Sequence, residues 1–209
     1  DELPMLIISL LTRKKIIWES HTGAYGWAAR RLVHRAHTIV VISQGLADFY
    51  IAKGIDKGKV IVAHDGFDPK QFSSPESKEL ARKRLGLPLD RKLALYIGRV
   101  DGWKGALTLC EASNHLSSDA AIVVMGGEEA QNEALRMQFP HVLFLGFRPY
   151  HELADNQAAA DVLVLPNTGL SQVSRAFTSP LKLFTYMASG RPMIVSDLPS
   201  IREVVDETC

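Results

Sequence analysis

"LALYIGRVDGWKGALTL", residues 93–109, decides the fold. It opens on apolar residues that do not alternate with polar ones, as in a strand covered on both faces of a parallel sheet. Gly98 ends that run, and a polar turn carrying Arg99, Asp101 and Lys104 follows. Gly105 then opens a stretch with helical spacing that continues to Leu116. A strand that passes through a short glycine-bearing turn into a helix is the building unit of a doubly wound α/β sheet.

The same unit recurs on either side. Downstream, "AAIVVMGG" (120–127), "VLFLGF" (142–147), "DVLVLP" (161–166) and "RPMIVSD" (191–197) predict strands. "EEAQNEALRMQF" (128–139), "YHELADNQAAA" (150–160) and the segment opening at Pro180 predict the helices between them. Upstream, "KKIIWESH" (14–21), "TIVVIS" (38–43) and "GKVIVAHDG" (58–66) predict buried strands, with helices over 26–37 and 44–54. Residues 68–92 are rich in proline, serine and charge, and predict a linker with one short helix capped by Ser74, Pro75 lying in its first turn. The predicted architecture is α/β with two doubly wound, Rossmann-like lobes. Residues 1–67 form the first lobe, 68–92 the linker and 93–209 the second lobe.

Bulk properties bound the function. The chain's 209 residues suit one large domain or two small ones, and 46% hydrophobic with 22% charged residues is an ordinary balance for a soluble domain. A net charge of +1 gives no overall pull toward nucleic acid, so no nucleic-acid partner is expected. Cys110 and Cys209 lie far apart and form no ligand-spaced cluster, which points to a reducing, cytoplasmic compartment and no metal. The apolar run near the start is too short to span a membrane and wrongly flanked for a signal peptide. The first residue is Asp, and "REVVDETC" (202–209) stops on a helix-like pattern with no cap, so both ends read as cut edges of a longer protein.

In open α/β sheets ligands bind beyond the carboxyl ends of the strands. Polar residues collect there at 19–21, 64–68, 99–105, 126–128 and 167–182. An isolated Arg-x4-Lys reads as a basic surface turn. Between a strand end at Gly98 and a helix start at Gly105, Arg99 and Lys104 read instead as a site for a multiply charged anion, most naturally a diphosphate. Thr178 and Ser179 precede Pro180, and the free N–H groups near Leu181 and Lys182 make a second anion-holding helix start. His21, at a strand end, is suited to a proton or a substrate hydroxyl, or is a surface histidine. His64 shapes a turn, and the other five histidines are expected in solvent. Gly126 and Gly127 lack the spacing of a dinucleotide fingerprint, which disfavours a dehydrogenase. They read either as a structural turn or as a place where a base or sugar approaches the main chain. The turn at Phe147 and Arg148 lies along the same edge. Arg30, Arg31 and Arg35 share one helix, a solvated face or one that touches anionic lipid.

"WESH", "VVIS", "HDGFD", "GRVDGWKG", "VVMGG", "AAADVLVLP" and "SPLKLFTYMASGRPMIVSDLPSIREVV" occur in this order. The set resembles the retaining glycosyltransferases of the two-lobed GT-B type, group 1 (family 4). The resemblance covers nearly the whole chain and is densest from Leu93 to Val205. It implies a nucleotide-sugar donor, UDP- or GDP-linked, held mostly by the second lobe without a metal or other cofactor. It implies transfer to a glycan or lipid-linked acceptor, with peripheral contact at the inner face of a membrane, as in some relatives. Arg99 and Lys104 resemble the pair that neutralises the departing diphosphate. Leu181 and Lys182 resemble the phosphate-holding helix start, and His21 the first-lobe histidine near the donor sugar. Gly126 and Gly127 resemble the strand end near the nucleotide, and Phe147, Arg148 and Pro149 the turn near the base.

Two departures from the pattern stand out. The family usually carries two glutamates eight residues apart, but here Thr185 stands at the second place and no acid at the first (Phe177, Thr178). Thr185 implies weaker ribose binding, another nucleotide, or an inactive copy. A non-catalytic or degenerate nucleotide-sugar-binding subunit therefore stays open beside the enzyme. An epimerase of the same fold would need cleft carboxylates that the sequence does not supply. The resemblance also places a further strand and a glycine-rich loop before residue 1 and a closing helix after residue 209. The chain alone is thus expected to be inactive.

Overall fold

Eight strands and nine α-helices order the computed structural model, which describes residues 2–12 and 14–206. Cys209 and the tail of "REVVDETC" lie outside the described residues. In chain order the elements begin α1 (Glu2–Leu11), β1 (Ile17–Ser20), α2 (Trp27–Arg35), β2 (Thr38–Val41), α3 (Gln44–Ala52) and β3 (Val60–Val62). They continue α4 (Lys78–Leu85), β4 (Lys92–Ile97), α5 (Ala106–Ala112), β5 (Ala120–Met125), α6 (Glu129–Gln138) and β6 (Leu143–Gly146). The last are α7 (Leu153–Ala158), β7 (Val162–Leu165), α8 (Leu181–Ala188), β8 (Met193–Val195) and α9 (Pro199–Arg202).

The chain forms two units: 1–65 with 169–179 and 197–209, and 66–168 with 180–196. This differs from the expected division. Residues 68–92 belong to the second unit, because α4 is built into it. Arg82 of α4 is buried, donates through Nε to Ala159 O at 2.9 Å, and pairs with Asp161 at 2.6 Å. A guanidinium carries five donors, and a buried one is stable only when they are satisfied. Arg82 therefore ties this polar stretch down. The helix is capped by Ser77, whose Oγ accepts from Leu80 N at 3.3 Å, and not by Ser74.

The segments 169–179 and 197–209 join the first unit instead of the second. A five-residue π-helical turn, Val173–Phe177, places Phe177 in the first unit's core. Ser43 Oγ, the cap of α3, donates to Ala176 O at 2.9 Å. The Glu203 carboxylate accepts from Gln44 N at 2.7 Å and Gly45 N at 3.2 Å, a negative charge on the bare N–H groups of the α3 start.

The first unit's sheet is parallel, in the order β1-β2-β3. Its strands were expected to be buried on both faces. Instead β1 alternates, with Ile17 67% exposed while Trp18 and Ser20 are buried, so one face of this strand is left uncovered. The second unit's sheet is parallel in the order β6-β5-β4-β7-β8, and β4, β5 and β7 fill its core. Cys110 is buried there as a free thiol, and burial pushes it up to about 11. Among the described residues no helix is long and apolar enough to cross a membrane.

Candidate functional site

The strand order of the second unit reverses between β4 and β7, and ligand crevices open at such a switch point. A cavity of about 480 Å³ lies at these strand ends, within the second unit alone. One set of lining residues is cationic: Arg99 after β4, Lys104 in the next turn, and Lys182 in the first turn of α8. Another set is apolar or aromatic: Met125 ending β5, Phe147, Pro149 and Tyr150 of the turn after β6, and Leu153 of α7, with Arg148 in the same turn. Asn156, Thr185 and Tyr186 complete the polar part of the wall.

Two glycines make the cationic end possible. Gly105 has φ 74°, and a Cβ there would lie 1.7 Å from Pro166 O, so only glycine lets the β4–α5 turn reach the end of β7. Gly98 has φ 156°, and a Cβ there would lie 2.9 Å from Lys182 Nζ. The absent side chain makes room for that ammonium.

Lys182 Nζ donates to Tyr96 Oη at 3.1 Å and lies 4.3 Å from the Tyr96 ring centroid. Tyr96 in turn donates to Arg99 O at 2.6 Å. Burial and then the charge of Lys104 hold Lys182 at about 7, far below the ordinary lysine value, while Asp101 opposes them. Arg99 is well exposed and paired with Asp101, and Lys104 Nζ sits 4.6 Å from the Trp103 ring centroid. No side chain caps the start of α8 after Pro180, so its first N–H groups remain available. Arg99, Lys104 and Lys182 with a bare helix start, and Arg148 as a fourth lining cation, suit a ligand carrying several negative charges.

Residues 91–208 match the family described as Glycosyl transferases group 1, more than half of the chain. The chain belongs to the group 1 glycosyltransferases. TuaC of Bacillus subtilis (strain 168), named for teichuronic acid biosynthesis, is 35% identical over 141 residues, covering 67% of this chain and 35% of that protein. A D-inositol 3-phosphate glycosyltransferase of Xylanimonas cellulosilytica is 30% identical over 166 residues, covering 73% of this chain and 38% of that protein. This chain thus spans little more than a third of the length of these relatives. Alr3699/HepE of Anabaena, solved with UDP and glucose, superposes with a TM-score of 0.79 over 99% of this chain and 59% of that one. At 18% identity that likeness shows the fold, two Rossmann-like lobes of the GT-B kind.

In this group 1 glycosyltransferase the cavity gathers Gly98, Arg99, Lys104, Phe147, Arg148, Pro149, Leu181, Lys182 and Thr185 of the expected site residues. It does not gather the rest. Gly126 and Gly127 do not line it, because their close approaches are to protein. A Cβ on Gly126 would lie 2.1 Å from Gly98 O, and one on Gly127 would meet Asn132 and Val100. Thr178 and Ser179 belong to the first unit, where the buried Ser179 Oγ accepts from Asp65 N at 2.9 Å. His21 also belongs to the first unit, exposed and bonded through Nε2 to Glu19 Oε1 at 2.8 Å. His64 is bonded to Ile42 O at 3.0 Å, in keeping with a turn-shaping role.

Thr185 faces the cavity with little to offer. It is 3% exposed, donates to Lys182 O at 3.0 Å, and accepts from Gln157 Nε2 at 3.2 Å. One lone pair of its oxygen is left. Sequence reasoning missed Tyr96, Tyr186 and Asn156. Tyr96 reads as part of an apolar strand, and Asn156 as a polar position on an ordinary helix. Only their place beside Lys182 and the cavity marks them.

Proposed function

We propose that the chain is the donor-binding part of a glycosyltransferase that moves a sugar from a UDP- or GDP-linked donor to a glycan or lipid-linked acceptor with retention of configuration. The carrying observation is the convergence of Arg99, Lys104 and Lys182 with the uncapped start of α8 on one cavity. In the transfer, the bond between the anomeric carbon and the donor phosphate breaks, and its electron pair leaves on the diphosphate. Cations already placed around that group stabilise the charge as it develops, and they supply the neutralisation a divalent metal would bring elsewhere. Met125, Phe147 and Tyr150 supply an apolar wall for the base.

Calorimetry with UDP and GDP tests this. Arg99→Ala and Lys104→Ala are each expected to weaken binding about tenfold or more, the loss of one charge-assisted contact. Unchanged binding in both would remove the phosphate clamp. With the complete protein, EDTA should leave turnover unaffected.

The recess between α1 and α2 favours a lipid-linked acceptor. Arg30, Arg31 and Arg35 line it beside Leu10 and Trp27, both about 60% exposed. Cations mixed with exposed apolar groups suit the interface of an anionic membrane, here its inner face. Salt-sensitive cosedimentation with phosphatidylglycerol vesicles checks it. The degenerate-subunit reading rests on Thr185. Binding of donor with no turnover by the complete protein, across a panel of sugars, would favour it.

A further inference from the structure

Asn156 is one of the most enclosed polar residues at the cavity, 1% exposed, and it lines the wall. Its carboxamide has one possible orientation. Arg84 Nη1 lies 3.0 Å from Oδ1, and a guanidinium can only donate, so the oxygen must face Arg84 and the NH₂ must face away. Arg84 is itself held, by Glu76 at 3.0 Å and Glu152 at 3.9 Å. Among the described residues Nδ2 has no protein partner, and it is not among the buried polar atoms that lack one. The little surface that Asn156 exposes therefore includes its donor group.

The position of that donor along the cavity follows from its neighbours. Gln157, the next residue of α7, donates to Thr185 of α8, so Asn156 sits where α7 meets α8. Arg99, Lys104 and Lys182 lie on the side of α8 and the end of β4, while Met125, Phe147, Pro149, Tyr150 and Leu153, with Arg148 among them in sequence, form the wall on the side of β5, the 147–150 turn and α7. A nucleoside diphosphate lying across the cavity has its charged end on the first side and its base on the second. The group between them is the ribose.

We propose that Asn156 Nδ2 donates a hydrogen bond to a ribose hydroxyl oxygen of the nucleotide, and that Asn156, held by Arg84, supplies the ribose contact that Thr185 does not. This rests on the donor-binding reading above. It replaces an acceptor for ribose hydroxyls with a donor to them, brought in from a different helix.

The test is calorimetry with the nucleoside diphosphate the wild-type chain binds, UDP or GDP, and with its 2′-deoxy and 3′-deoxy analogues. Loss of one of the two hydroxyls is expected to weaken wild-type binding about 3- to 10-fold, the range of one hydrogen bond. Asn156→Leu should weaken binding of the parent nucleotide by a similar factor and show no further loss with that analogue, as coupled partners do in a double-mutant cycle. Arg84 keeps Glu76 and Glu152 in this variant, and the wild-type comparison of analogues stands even if the variant fails to fold. Equal wild-type affinity for all three ligands overturns the proposal. So does a loss in Asn156→Leu that is the same for the parent and both analogues. In either case the donor-binding reading survives. A wild-type chain that binds neither UDP nor GDP overturns both.

Discussion

Lys182 shows how a single residue carries chemistry that composition hides. Its ammonium is half-enclosed beside Tyr96 and near Lys104, and it titrates near 7 in the absence of a ligand. A bound diphosphate would favour the charged form, so binding takes up a proton once the pH exceeds about 7. Affinity for UDP or GDP is expected to be highest below that pH and to decline as pH rises through it. Calorimetry at pH 6 and 8.5 in buffers of different ionisation enthalpy would show the proton. Lys182→Met should weaken binding and remove this pH step. The same residue burdens the fold. Its folded value lies below the unfolded 10.5, so the unfolded chain binds more protons between about 7 and 10.5, and stability rises with pH across that window. Below about 7 the full cost applies, and Lys182→Met is expected to raise the melting temperature at pH 7. Arg99 and Lys104 were legible as two cations at one turn because they lie between a strand end and a helix start. The suppressed charge of Lys182 was not, because it depends on burial in the folded unit and on the charge of Lys104, far away in the chain.

At the scale of elements, Asp161 joins three of them. It immediately precedes β7, accepts from Leu93 N of β4 at 2.7 Å, and pairs with Lys78 and Arg82 of α4. Burial alone would raise its carboxyl, but the Leu93 N–H, Lys78 and Arg82 outweigh it and hold it at about 2. A depressed carboxylate stabilises the fold above its unfolded value of 3.8, and that contribution disappears as pH falls toward 2. Asp161→Asn is expected to cost about 2–3 kcal/mol at neutral pH and to flatten the acid limb of a urea-denaturation series. Gly105→Ala tests the β4–α5 turn in another way. The 1.7 Å clash with Pro166 O demands backbone movement, so the variant should lose both stability and nucleotide binding, seen by thermal melts and calorimetry. Every strand and most helices could be read from the sequence, since the strands are short apolar, β-branched runs whether covered on both faces, as in β5, or on one, as in β1. The cap of α4 could not, because Ser74 and Ser77 offer the same hydroxyl and only the following turn selects between them. The π-helical turn at Val173–Phe177 carries no periodic signature at all.

For the molecule as a whole, nucleotide binding should register as stability. A ligand at one hundred times its dissociation constant adds about 2.7 kcal/mol to the state that binds it. For a chain of this size that is a rise of about 5–10 °C in melting temperature, measurable by fluorimetry with UDP and GDP. Absence of any shift at saturating ligand would contradict the assignment of the cavity. By itself the sequence determined the α/β class, the strand order along the chain, the presence of two sheets, and a basic turn between Gly98 and Gly105. Those follow from local hydrophobic period and from glycine and cation placement, which act over a few residues. Tertiary structure alone decided that residues 68–92 belong to the second unit and 169–179 to the first. It also decided that Gly126, Gly127, Thr178 and Ser179 stand away from the cavity while Asn156 faces it. These outcomes depend on which distant partner satisfies a buried guanidinium, hydroxyl or amide, and chain-local patterns hold no record of that choice.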